Sequence, residues 1–153
     1  MTKRQEFTVI GTYSDFELRQ YQPCVIAEVK VSGQYSTVGS QAFRHLFQYI
    51  SQGNKTSQKI AMTAPVIAAQ HTDQKSSDDW YISFVMPAGS TYEQMPHPND
   101  PEVTLRALDS QMCVAISFRG RATQEKSNQL IKELRAAAAK ENIALSSETR
   151  ICR

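Results

Sequence analysis

Residues 54–66 read NKTSQKIAMTAPV, a polar and turn-forming opening that continues directly into a segment of strand character. Asn54 follows Gly53, and both residue types readily adopt the left-handed backbone conformation that ends a helix. In the second half, strict alternation places four apolar residues on one face of a strand, Ile60, Met62, Ala64 and Val66. The stretch therefore predicts the stop of a helix at the Gly53–Asn54 turn, followed by a core strand that contains Met62.

Two long amphipathic helices are predicted from apolar residues at helical spacing. The first spans residues 35–51 and has Phe43 and Phe47 at one margin of its apolar arc, which is formed by Val38, Ala42, Leu46, Tyr49 and Ile50. The second spans residues 124–141, after Thr123 as its N-cap, with a charged outer face and an inner face of Leu130, Ile131, Leu134 and Ala138. Both helices are expected to pack one face on a sheet.

Five short segments rich in β-branched and aromatic residues read as strands: CVIAEVKVSG, KIAMTAPVIA, DWYISFVMP, EVTLRAL and QMCVAISFRG. Two of these segments lead through a glycine into the two helices, which indicates two similar halves. Period-2 runs with turn-length connections favour antiparallel pairing. We therefore expect an α+β fold in which residues 1–153 form one domain, with two helices on a curved sheet.

Charge and composition narrow the class of function. Seventeen basic and fifteen acidic residues give a formal charge of +2, and the absence of a long Lys/Arg block argues against nucleic acid as a partner. No segment reaches the apolar length of a signal peptide or a membrane span, so we expect a cytoplasmic protein. The three cysteines, Cys24, Cys113 and Cys152, lack Cys-x-x-Cys spacing and are expected to be reduced thiols rather than disulfides or zinc ligands.

The sequence contains no standard catalytic signature such as Gly-x-Ser-x-Gly or His-Glu-x-x-His. We therefore expect a binding protein rather than an enzyme. Of its three histidines, His71 and His97 fall in polar loops and are predicted to be surface residues. His45 lies in the first helix beside the apolar arc, where an imidazole either points to solvent or ligates a group that lies on the helix.

Beyond these patterns, the blocks FELRQY, VIAEVKVSG, FRHLFQYISQGN, KIAMTAPV, FVMP and VAISFRGRA occur in an order that resembles the SOUL haem-binding protein family, over about residues 16–142. The resemblance implies two pseudo-symmetric βαβ-type halves that form a distorted antiparallel barrel or curved sheet. Two helices flank this sheet, as in the effector-binding domains of the gyrase-inhibitor-like group. It also implies noncovalent binding of haem or a related tetrapyrrole, by a carrier or buffer, in an apolar groove beside the first helix.

By motif position, the resemblance assigns Phe43 and Phe47 to the groove lining. Ser40 and Gln48 fall where basic side chains can meet haem propionates in some members, so two neutral residues here weaken that pairing. These four residues are the expected haem contacts.

His45 is the candidate ligand for haem iron, because Gln20 stands where some family members have a histidine. At 100° per residue, His45 and Phe47 point about 160° apart around the helix. One haem therefore lies either on the Phe43/Phe47 edge without histidine ligation or on the His45 edge with it. Two further alternatives are that the protein binds a metal-free porphyrin and that it binds no tetrapyrrole at all. The alternative functions are a binding module for another flat hydrophobic or cationic effector and an enzyme that acts on such a ligand.

Overall fold

The computed structural model describes residues 3–71, 79–121, 123–146 and 148–152. In these ranges the chain forms two helices, α1 (Tyr35–Ile50) and α2 (Gln124–Lys140). The described strands are β1 (Lys3–Arg4), β2 (Phe7–Thr12), β3 (Glu17–Tyr21), β4 (Cys24–Ser32), β5 (Thr63–His71), β6 (Asp79–Val85), β7 (Thr104–Leu108), β8 (Gln111–Ala115) and β9 (Glu148–Cys152). The predicted α+β class and both predicted helices are confirmed.

The strands form two sheets. The larger sheet has the order β1-β5-β6-β4-β7, with β9 also paired to β5, and the smaller sheet has the order β2-β3-β8. All of these pairs are antiparallel except β1 with β5, which is parallel. The five predicted strand segments correspond to β4 through β8, whereas β1, β2, β3 and β9 had not been predicted as strands.

One long strand pair connects the two sheets. Tyr21 of β3 pairs with Gln111 of β8. Three residues later in the first segment and three residues earlier in the second, Cys24 of β4 pairs with Leu108 of β7. The register is therefore unbroken where the pair passes from one sheet to the other. Pro23 lies at this passage and has no N–H to donate to a ladder. The described strands thus form two sheets joined by this pair, and they do not close into a barrel.

The predicted similarity of the two halves has a counterpart in the connections. Each helix joins two strands, as β4-α1-β5 and β8-α2-β9. The glycine that precedes each helix has a positive φ, 142° at Gly33 and 96° at Gly120. Glycine adopts such angles readily because it has no Cβ.

The main core lies between α1 and the large sheet. The inner face of α1 is buried through Ala42, Leu46, Tyr49 and Ile50, as predicted. The side chain of Val38, also predicted on this face, lies outside the described part of the chain. The buried side chains of this face belong to one cluster with strand residues that include Val29, Ile82 and Phe84. The Tyr49 hydroxyl, inside this core, donates a hydrogen bond of 2.8 Å to the Pro96 carbonyl.

The chain after α1 departs from the predicted turn in detail. The left-handed residue is Gln52, with φ of 85°, rather than Asn54. Asn54 is 2% exposed, and its Nδ2 donates to the carbonyls of Tyr49 and Gln58 at 3.0 and 2.9 Å. Its Oδ1 accepts from the Gln58 N–H at 2.9 Å. Asn54 therefore fastens the following loop to the end of α1 by replacing backbone partners with its side-chain amide.

The predicted core strand starts later than expected. β5 begins at Thr63, and its register with β6 shifts between Thr63 and Val66. This irregularity breaks the alternation on which the prediction relied. Ile60 remains buried, but Met62 is 36% exposed and Thr63 is 4% exposed. The prediction that Met62 lies in the core is therefore wrong.

Gly53 is expected to be irreplaceable for a steric reason. A Cβ at this position would lie 2.4 Å from the Gln48 carbonyl oxygen, whereas a Cβ at Gly39, inside α1, would meet no atom within 4 Å. Gly53→Ala should lower the free energy of unfolding by about 2 kcal/mol. Gly39→Ala is the matched control and should raise it by about 0.5–1 kcal/mol through helix propensity. Urea denaturation checks both, and equal effects of the two substitutions would contradict the steric argument.

Candidate functional site

The outer margin of α1 carries two stacked aromatic rings. Phe43 and Phe47 are 41% and 49% exposed, and their ring centroids lie 5.7 Å apart at an interplanar angle of 15°. Phe43 also makes an edge contact with the buried ring of Phe84 at 5.4 Å. The pair is thus held from below by the core while its outer surface faces solvent. We call these two residues the Phe43/Phe47 platform.

Polar side chains border the platform along α1. Ser40, Arg44 and Gln48 are exposed and follow one another at four-residue spacing, which places them along one side of a helix. The Ser40 hydroxyl donates to a backbone carbonyl of the preceding turn at 3.1 Å. Arg44 is about 60° from Phe47 around the helix. It supplies the positive charge that Ser40 and Gln48 lack.

Sequence reasoning missed Arg44, although the motif FRHLF holds an arginine between the two phenylalanines. The signal was available in the helical spacing of Arg44 from Ser40 and Gln48. The predicted haem contacts were taken only from positions that match the family's motif.

His45 lies away from the platform and contacts a carboxylate. Its Nδ1 is 2.5 Å from Oδ2 of Asp100, and both side chains are mostly buried. Oδ1 of Asp100 accepts from the Glu102 N–H at 2.9 Å. The hydrogen bond with His45 is the main cause that lowers the pKa of Asp100. This pair fastens the proline-rich loop before β7 to α1, so His45 does not simply point into solvent.

A carboxylate on Nδ1 also orients many imidazoles that bind metals through Nε2. Within the described ranges, however, no group of three His, Cys, Asp or Glu side chains could hold a metal ion. His97 is exposed, as predicted for a surface histidine. The side chain of His71 lies outside the described part of the chain.

A cavity of about 1800 Å³ lies between α2 and strands of both sheets. Ligand pockets commonly have about 300–1,000 Å³, so this space is large enough for a sizeable organic molecule. Three apolar residues of α2, which had been predicted to face the sheet, are only half-buried and line this cavity: Leu130, Ile131 and Leu134. Among the predicted site residues, only Ser40 is on the cavity wall formed by the described residues.

Two of the three free cysteines line this cavity. Cys113 of β8 and Cys152 of β9 are on the wall, and Cys24 is not. Burial among protein atoms raises the pKa of all three thiols. Cys152 is nevertheless exposed, and the space it adjoins is this cavity.

Comparisons with known proteins agree with the sequence blocks. A model of the SOUL heme-binding protein family matches residues 2–152 of the chain. A solved structure described as the crystal structure of a hydrolase from Listeria innocua is similar with a TM-score of 0.63 and 11% sequence identity. The alignment covers 94% of this chain and 87% of that chain. At this identity the likeness shows the fold alone. A search of curated proteins finds no match.

In the part of the chain that the structure describes, neither α1 nor α2 is long and apolar enough to cross a membrane.

The His45–Asp100 pair should stabilise the fold in a pH-dependent manner. The pKa of Asp100 is lowered below its ordinary value of 3.8, so the unfolded chain takes up the proton first as the pH falls. The stabilisation is therefore complete above that ordinary value and is lost as the pH falls through the lowered pKa. Asp100→Asn should cost about 1 kcal/mol at about pH 5.5 and less at about pH 3, below the ordinary pKa of the carboxyl group. Urea titrations at both pH values check this, and a penalty independent of pH would contradict it.

The raised thiol pKa values predict slow alkylation. Because the ordinary value is 9.0 and the thiolate is the nucleophile, iodoacetamide should modify Cys113 and Cys152 with rates that still rise between about pH 9 and pH 10. Peptide mass spectrometry measures each rate separately. Rates that level off below pH 9 would contradict the effect of burial.

Proposed function

Because the chain belongs to the SOUL heme-binding protein family, we propose that it binds haem or a related tetrapyrrole noncovalently, as a cytoplasmic carrier or buffer formed by one domain. The observation that carries this proposal is the Phe43/Phe47 platform. Large apolar side chains favour burial by about 1.5–3 kcal/mol each. Two adjacent rings that stay about half-exposed therefore form a surface suited to a flat apolar ligand.

The residues around the platform fit the chemistry of haem. The phenylalanine rings offer an apolar face for the macrocycle, and the Arg44 guanidinium can pair with a propionate through charge-assisted hydrogen bonds. Gln48 can add a neutral hydrogen bond at the same edge. When bound, haem supplies iron that accepts axial ligands and electrons. The protein's part in this proposal is to bind and orient the macrocycle.

We place the tetrapyrrole on the platform rather than on the His45 edge. His45 points about 160° from Phe47 around α1, and its Nδ1 already contacts Asp100. A ligand on the platform is therefore held without histidine ligation. The alternative, with ligation by His45 on the other edge, keeps the Asp100 contact as a means of orienting the imidazole.

A cationic effector is less compatible with this surface, because Arg44 would repel a positive charge beside the platform. An enzyme that acts on a flat ligand remains the third alternative. The hydrolase description of a structure with 11% identity does not support this alternative, because such a likeness indicates the fold and no activity.

Phe47→Ala should weaken haem binding about tenfold, because one stacking ring is lost. The same substitution should cost about 1 kcal/mol of stability or less, since the side chain is 49% exposed. A haem titration followed by the Soret absorbance measures the first effect, and urea denaturation measures the second. Ile10→Ala is the matched control, because Ile10 is 46% exposed on β2 of the other sheet. Equal affinities for Phe47→Ala and Ile10→Ala would remove the platform from the site.

His45→Ala separates the two positions proposed for haem. If the platform holds the ligand, ferric and ferrous spectra of wild type and variant should coincide, with unchanged affinity. If His45 ligates the iron, loss of the imidazole should change the spin state and shift the Soret band. Asp100→Asn serves as a control, because it disturbs the same hydrogen bond and leaves the imidazole in place.

A further inference from the structure

The cavity beneath α2 has more positive than negative charge on its wall. Among the described residues the charged side chains of its lining are five arginines and one glutamate: Arg4, Arg19, Arg121, Arg135, Arg150 and Glu148. The chain as a whole is almost balanced, with seventeen basic and fifteen acidic residues. The excess of arginine is therefore local and favours an anion inside or at the mouth of this cavity.

Two of these arginines already have acidic partners. Arg19 pairs with Glu17 at 2.9 Å, and Arg150 pairs with Glu148 at 2.7 Å. Arg135 has no such partner in the described part of the chain. Its Nη1 and Nη2 donate to the Ser146 carbonyl and the Thr149 hydroxyl at 3.0 and 2.9 Å. Both acceptors are neutral, so the charge of Arg135 is not compensated.

Unsatisfied polar atoms mark the same wall. Within the described ranges, Nε of Arg135 and the hydroxyl of Ser127 are buried and have no hydrogen-bond partner. Ser127 as a whole is only 4% exposed. Leaving a buried polar group without a partner costs about 1–3 kcal/mol, and native proteins avoid this cost except where a ligand or a function requires it.

The spacing of polar and apolar side chains along α2 indicates the shape of a ligand that would fit the cavity. Ser127 and Arg135 are eight residues apart, which is about 12 Å along a helix. The three apolar side chains between them line the cavity, Leu130, Ile131 and Leu134. Across the space the opposite wall contributes Ile67 of β5. The wall therefore favours an elongated apolar body with an anionic end near Arg135.

We propose that this cavity is a second ligand site, which binds a long-chain aliphatic carboxylate with its carboxylate at Arg135 and its alkyl chain along the apolar face of α2. A carboxylate matches the planar guanidinium. The apolar wall disfavours small hydrated anions, such as inorganic phosphate, because they leave it uncovered. The site is distinct from the platform, since Phe43 and Phe47 do not line this cavity, although Ser40 borders both.

Binding is tested on the full chain with cis-parinaric acid, a fluorescent fatty acid whose emission rises in apolar surroundings. Its methyl ester is the uncharged control ligand and should bind at least tenfold more weakly. Arg135→Met should weaken binding of the acid about tenfold, whereas Arg135→Lys should recover part of the loss. Lys132→Met is the matched variant, because it removes the same charge from an exposed position of α2 outside the cavity.

The location is tested by thiol protection in the wild-type protein, so it does not depend on whether Arg135→Met folds. Saturating cis-parinaric acid should slow the alkylation of Cys113 and Cys152 at least fivefold and leave Cys24 unchanged, because only the first two line the cavity. Peptide mass spectrometry gives the rate for each cysteine.

Three results would overturn the proposal. The first is equal affinity for the acid and its ester, and the second is binding without protection of Cys113 and Cys152. The third is haem that displaces the fatty acid and protects the same two thiols, because the cavity would then be the tetrapyrrole site. Loss of haem binding in Phe47→Ala with unchanged fatty-acid binding supports two separate sites. These results therefore distinguish a failure of the fatty-acid proposal from a failure of the haem proposal.

Discussion

The antiparallel pairing of β3–β4 with β7–β8 is the constraint on which the rest of the structure depends. Its register continues unbroken from Glu17 opposite Ala115 to Glu28 opposite Thr104, although the two sheets are separate. The passage at Pro23 lacks a backbone donor, so the pair bends there instead of continuing one flat sheet. Because the same two chain segments contribute to both sheets, covalent connection and register together fix how the sheets are placed.

This bend gives the two helices different surroundings. α1 packs on one face of the large sheet and buries Leu46 and Tyr49 almost completely. The opposite face of that sheet carries a smaller cluster that includes Ile67, and Ile67 also lines the cavity beneath α2. In α2 the buried residues are Ser127 and Ala138. One helix therefore completes a core, while the other encloses a space.

Secondary-structure elements whose pattern depends only on neighbouring residues in the sequence were predictable. The helices follow from 3.6-residue periodicity, and β4 and β6 follow from short β-branched and aromatic runs. β2 and β3 escaped prediction because their residues are mostly exposed or half-buried, which leaves no clean alternation to detect. Met62 was misplaced for a related reason, since the register shift after Thr63 depends on the pairing with β6 and is not visible in the sequence of β5.

The candidate site divides in the same way. Helical spacing was sufficient to place Phe43 and Phe47 on an exposed margin, and it would also have indicated Arg44. The contact of His45 with Asp100 joins residues that are 55 positions apart in the sequence. Local sequence patterns cannot indicate a contact between such remote positions. The cavity could not be predicted either, because the apolar face of α2 is what a helix packed directly on a sheet would also show.

Apolar side chains are incompletely buried at both places proposed to bind ligands. Each place keeps apolar side chains from full burial, which lowers stability by the hydrophobic free energy that burial would have contributed. On α1 the exposed rings still contact the core through Phe84, so their direction is fixed before a ligand arrives. On α2 the half-buried Leu130, Ile131 and Leu134 lie within two turns of the uncompensated Arg135 on the same helix. At the α2 cavity apolar burial and charge pairing are thus incomplete together, and a ligand that covers the apolar side chains and pairs with Arg135 would restore both and stabilise the folded chain.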